Sequence, residues 1–107
     1  MTKLPTKEDL IRTLRDQLPY LHERFGVEEI AVYGSFTRGT HTEKSDVDLI
    51  VRLSRPLGLE FVSLAQYLEE VLGRPVDLAT FETLQRSKGD PRRKRTADEI
   101  ERTLSYV

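Results

Sequence analysis

Two aspartates separated by one valine, Asp46-Val47-Asp48, open a segment in which Val47, Leu49 and Val51 alternate with other residues. That alternation predicts a strand over 46–53, with Val47, Leu49 and Val51 on one face and Ile50 on the other. Residues two apart in a strand share a face, with Cα atoms about 7 Å apart at ~3.3 Å per residue. Two carboxylates so placed repel each other, and a hard divalent cation relieves the repulsion. Mg²⁺ is commonly held by one or two carboxylates together with substrate phosphates. The fold must therefore turn Val47 to the core and Asp46 and Asp48 to a charged ligand.

Ten residues separate Asp46 from Ser35, which follows Gly34 at the end of a β-prone run over 30–33. Glycine lets a backbone approach a ligand closely, and a hydroxyl with successive N–H groups can grip phosphate oxygens. A triphosphate held there would present its oxygens to cations on Asp46 and Asp48. Asp77 is the third candidate, flanked by Val76 and Leu78 in a predicted strand over 75–80. If that strand lies beside the second, Asp77 joins the pair as a ligand and as the base for an attacking hydroxyl. Two cations would then brace the entering and leaving oxygens of an in-line displacement. The alternative for Asp77 is an exposed carboxylate at a strand edge.

The remaining pattern supplies helices. Thr6, Glu8 and Asp9 form an amino-terminal cap for a run of Leu10, Leu14, Leu18, Leu21 and Phe25, with a kink or fresh start expected at Pro19 and a stop at Gly26. Val62, Ala65, Leu68 and Leu72 predict a second helix over 59–72 ended by Gly73. Asp90-Pro91 predicts the start of a last helix that turns Ile100 and Leu104 inward. Helix, strand, glycine turn, strand, helix, strand, helix describes an α/β sandwich around a small sheet, one domain over 1–107.

Composition narrows the chemistry. With no cysteine among 107 residues, there is no disulfide, thiolate zinc site or thiol nucleophile, and nothing calls for an oxidising compartment. No apolar run approaches a membrane span and Met1-Thr2-Lys3-Leu4-Pro5 lacks a secretory signal, so the expectation is a cytoplasmic protein with no membrane contact. Net charge is −1, yet residues 86–95 carry +5, leaving −6 elsewhere. Arg92, Arg93, Lys94 and Arg95 would fall in the first turn of the last helix, opposing its dipole. They read either as a surface for an acidic partner or phosphates, or as a solvated charge run. Tyr20, Tyr33, Tyr67 and Tyr106 read as structural or partly exposed, and no aromatics interleave with the basic residues, which argues against a nucleic-acid binder.

Gly34-Ser35, the ten-residue gap containing Arg38-Gly39, Asp46-x-Asp48 and the stretch Gly73-Arg74-Pro75-Val76-Asp77-Leu78 together resemble the minimal nucleotidyltransferase family of the DNA polymerase β-like superfamily. The closing Tyr106-Val107 is also similar to how such chains end. The resemblance implies an α+β fold with a small mixed sheet flanked by helices, like the polymerase β palm. It further implies Mg²⁺ dependence with two ions and ATP as donor of AMP. Gly34 and Ser35 would bind the triphosphate, Asp46 and Asp48 the metals, and Asp77 metal and acceptor hydroxyl. Members often accompany a HEPN-domain RNase toxin, and some act as antitoxins by adding AMP to a toxin tyrosine. One position departs from the pattern: Phe36 stands where many members have arginine, which shifts phosphate charge onto Arg38. His41 and Lys44, in the same loop, read as solvated.

Three functions fit. The first is AMP transfer to a partner protein. The second is a non-catalytic antitoxin that masks its partner by contact and keeps the motif for nucleotide binding. The third, nucleotidyl transfer to a small molecule such as an aminoglycoside, requires a substrate domain that the chain lacks, unless homo-oligomerisation provides one.

Overall fold

The computed structural model describes residues 6–42 and 45–107. Helix α1 spans Lys7–Phe25. The Thr6 hydroxyl accepts from the Asp9 amide at 3.1 Å and the Asp9 carboxylate accepts from the Thr6 amide at 2.9 Å, a reciprocal capping box. Leu10, Leu14, Leu21 and Phe25 are buried on its inner face. Pro19 does not start a new helix: α1 runs through it. Pro19 is exposed, so water can satisfy the Arg15 carbonyl that loses its amide partner. Pro19→Ala should therefore stabilise the protein by about 1–2 kcal/mol, the helix-interior cost of proline less what its restriction of the unfolded chain returns. A thermal melt checks this, and an unchanged or lower Tm would mean that the ring packs usefully.

Strands β1 (Val27–Tyr33) and β2 (Val47–Leu53) pair antiparallel, and β3 (Val76–Thr80) lies parallel to β2. A two-residue strand β4 (Ser105–Tyr106) pairs antiparallel to β1, giving a mixed sheet of order β3-β2-β1-β4. Helix α2 (Ser35–Arg38) begins the β1–β2 connection, α3 (Glu60–Leu72) links β2 to β3, and α4 (Phe81–Lys88) and α5 (Lys94–Thr103) precede β4. Val47, Leu49 and Val51 sit on the face that packs with α1 and α3, each fully buried. Ile50 and Ala31 face the other way, against Phe81, Leu84 and Ala97 of α4 and α5. The alternation that defined the strand thus builds two cores, one on each side of the sheet.

Several expectations need correction. Helix α3 buries Leu64 and Leu68, whereas Val62 is 56% and Leu59 90% exposed. Two apolar rows fit the spacing in this segment, and packing selects the one through Phe61, Leu64, Leu68 and Leu72. Helix α4 was not expected, because Phe81 and Leu84 are its only buried residues. It starts immediately after β3 on a Thr80 cap that accepts from the Thr83 amide at 3.1 Å. The last helix begins at Lys94, a turn beyond Asp90-Pro91. The Asp90 side chain takes the Arg92 amide, and its carbonyl takes the amides of Arg93 and Lys94, which closes a turn before the helix.

Candidate active site

The β1–β2 connection turns sharply at Gly34, whose backbone lies at φ 78°, ψ −142°. An L-residue resists that conformation, and a Cβ there would collide with the Asp48 carboxylate. Glycine thus lets the turn press against the aspartate. The Gly34 carbonyl accepts from the amides of Thr37 and Arg38 and from the Thr37 hydroxyl at 2.8 Å, which locks the short helix α2. The amides of Ser35 and Phe36, in its first turn, have no acceptor four residues back within the helix and are the groups available to an anion.

Asp48 stands opposite Tyr33 on one side and Asp77 on the other. Strand neighbours in register share a face, so Asp77 projects on the side of Asp48, and Asp46, two residues earlier, precedes the same face. Desolvation by burial, then the charges of Asp77 and Asp46, raise the pKa of Asp48, while Arg38 lowers it. The same surroundings push the Tyr33 phenol up to about 12, burial contributing most, then Asp77 and Asp48. Tyr33 therefore stays a hydroxyl at neutral pH.

A hard divalent cation would relieve this mutual repulsion. Among the described residues no three histidine, cysteine, aspartate or glutamate side chains converge to cage a metal alone. Mg²⁺ fits nonetheless, since it takes hard carboxylate oxygens and completes its shell with phosphates and water. Without the cation, Asp48 holds its proton more tightly folded than unfolded. Its contribution to stability is complete below the unfolded pKa and fades as pH rises through the folded one. Metal-free protein should lose stability from the ordinary carboxylate range upward, and Asp48→Asn should flatten that slope and raise Tm near neutrality by roughly 3–5 °C. Chemical denaturation at several pH values tests this; an unaltered slope in the variant would assign it elsewhere.

Arg38 is exposed and close enough to act on Asp48. Phe36 is 2% exposed, stacked on the His41 ring at 4.2 Å and capped by the Arg74 guanidinium at 5.4 Å. It therefore belongs to the core. His41 is not solvated as expected: stacking on Phe36 half-buries it, and its Nδ1 is buried without a hydrogen-bond partner. Lys44 lies outside the described residues. Arg74, which was not anticipated, reaches the Thr42 and Ser45 carbonyls at 3.4 and 3.3 Å and holds the loop before Asp46. Tyr33 was likewise not expected at the site; its signal was its place directly before Gly34.

In the basic segment Arg86 pairs with Glu82 at 2.6 Å, Lys88 with Glu101, and Arg92 and Arg93 approach Asp90 at 3.9 Å. Only Lys94 and Arg95 of the four-residue run lie in the first turn of α5. A groove of about 520 Å³ beside Arg52 and Phe81 is at the far end of β2 from the aspartates. The aspartates themselves form an open shelf and line none of the three cavities described.

Residues 14–103 match the nucleotidyltransferase domain family. The chain belongs to this family. The protein adenylyltransferase MntA of Thermococcus cleftensis is 43% identical over 81 residues, 75% of this chain and 82% of the relative. A solved structure provisionally assigned as a minimal nucleotidyltransferase superposes with a TM-score of 0.69 at 28% identity, covering 99% of this chain and 100% of that one. A toxin–antitoxin crystal structure with AMP-PNP gives a TM-score of 0.52 at 30% identity over 71% of this chain and 57% of that one. The mixed four-stranded sheet flanked by helices is thus the nucleotidyltransferase architecture. Within the family's fold, the Gly34 turn and the strand start at Asp46 lie side by side because β1 and β2 are antiparallel neighbours.

Proposed function

We propose that this chain is a Mg²⁺-dependent protein adenylyltransferase: it moves AMP from ATP to a tyrosine of a HEPN-domain toxin and so acts as the antitoxin. The observation that carries this reading is the register of Asp48 beside Asp77, with Asp46 two residues along and the Gly34 turn pressed against Asp48. The relatives' adenylyltransferase activity and the AMP-PNP complex support the choice of ATP as donor. The 107 residues would act as one cytoplasmic domain. No helix among the described residues is long and apolar enough to cross a membrane.

In this mechanism Asp46, Asp48 and Asp77 would hold two Mg²⁺ ions, with substrate phosphates supplying further oxygens. When bound, the ions supply positive charge that binds and polarises the triphosphate. The Ser35 hydroxyl and the first-turn amides of α2 bind the phosphates on the leaving side. Arg38 adds a cation over the same region. Asp77, on the edge strand and the more exposed of the in-register pair, accepts the proton of the attacking hydroxyl. The open shelf at the aspartates calls for a partner protein to complete the site and exclude water.

Incubation with ATP, Mg²⁺ and the toxin should add whole AMP units to the toxin by mass spectrometry and block its RNase activity. Neutralisation without any mass increase would instead make the chain a contact antitoxin.

A further inference from the structure

On the sheet face that carries Asp48 and Asp77, helices α4 and α5 pack over Ala31, Ile50 and Ala79, while Asp77 is exposed and Asp48 half-buried. Between sheet and roof lies a cavity of about 180 Å³. Its floor is Ile50 and Ala79, each two residues along its strand from Asp48 and Asp77, roughly 6–7 Å away. Ala97 and Ile100 form the roof, Tyr33 the edge nearest the aspartates, and Arg93 part of the rim.

Size, lining and direction select an occupant. An apolar cavity of about 150 Å³ admits a benzene-sized ring, whereas sites for larger ligands run from ~300 Å³ upward. Ile50, Ala79, Leu84, Ala97 and Ile100 give it an apolar lining to which Thr83, Ser87 and Thr96 add hydroxyls, which suits a flat ring with one polar end. The register then gives direction. Gly34 and Ser35 continue β1 past Tyr33, while Ile50 lies the opposite way along β2 from Asp48. Phosphate turn and cavity therefore flank the aspartates on opposite sides. An in-line displacement keeps entering and leaving groups on opposite sides of phosphorus. With pyrophosphate leaving toward Ser35, the acceptor enters from the cavity.

We propose that this cavity seats the aromatic ring of the acceptor side chain and so selects a phenol over an aliphatic hydroxyl; the assignment rests on the adenylyltransferase reading above. The phenol oxygen forms a bond to the α-phosphorus of ATP. The bond from α-phosphorus to the bridging oxygen breaks, its electrons leave with pyrophosphate, and the phenol proton passes to the Asp77 carboxylate. A serine or threonine would leave the cavity empty and its hydroxyl unpositioned.

The test uses the whole chain with p-cresol as probe and adenosine as its comparison, followed by amide chemical shifts. p-Cresol should move the signals of Ile50, Ala79, Ala97 and Ile100, and adenosine should not. In parallel, Ala79→Leu and Ser87→Leu, which narrow the cavity from the sheet and from α4, should raise the KM for the toxin at least about tenfold and leave ATP affinity within about twofold. Shifts caused by adenosine in place of p-cresol, or by neither, overturn the assignment, as does an unchanged toxin KM in folded variants. Wild-type protein that binds p-cresol in the cavity yet transfers no AMP would overturn the adenylyltransferase reading itself, and the acceptor assignment with it.

Discussion

Asp48→Ala should lower AMP transfer by about 10²–10³-fold or more while the protein stays folded, because the contact it removes acts on charge held in the transition state. Asp46→Ala should do the same. Asp48 is half-buried, and removing its charge relieves the repulsion from Asp77 and Asp46. Activity and stability should therefore move in opposite directions, the pattern of a site whose residues are kept for chemistry at some cost to the fold. Asp77→Asn separates the roles further. It keeps a metal-directed oxygen but cannot accept a proton, so transfer should fall while nucleotide affinity changes little. Rates from single-turnover labelling with ATP measure both effects. A variant of Asp48 with near-native transfer would remove the carboxylate row from the mechanism.

How much of this was legible beforehand follows the range of the interactions. The Asp46-Val47-Asp48 strand was readable because its period lies within seven residues, Val47–Leu53, and both cores obey it. The α1 cap was readable for the same reason. The position of Asp77 depended on a parallel pairing across α3, and no local pattern states which strand a third strand will join. Its place on the side of Asp48 follows only once that register is known. Helix α4 escaped notice because two inward residues do not make a periodic row, and β4 because two residues are too few to alternate. Tyr33 and Arg74 owe their importance to tertiary neighbours: one is paired with Asp48 across the sheet, the other reaches back over Phe36 to the loop before Asp46. Val62 illustrates the opposite error, a residue in a correct helix but on the wrong row.

Gly34→Ala should cost about 2–4 kcal/mol and lower Tm by roughly 10–20 °C. Two causes contribute and can be separated. The backbone at φ 78°, ψ −142° is unfavourable for any L-residue. The added Cβ would also strike the Asp48 carboxylate, with Cγ only 3.2 Å away. Asp48→Ala removes the carboxylate and leaves its Cβ at 3.5 Å, an ordinary contact. In that background the Gly34→Ala penalty should shrink toward the backbone cost alone, a coupling of about 1–2 kcal/mol in a double-mutant cycle. Equal penalties in both backgrounds would mean that the glycine serves only the turn. A positive coupling would tie the phosphate-side backbone to the metal-side carboxylate through direct contact, and the absent side chain at residue 34 would then be what lets one triphosphate meet both.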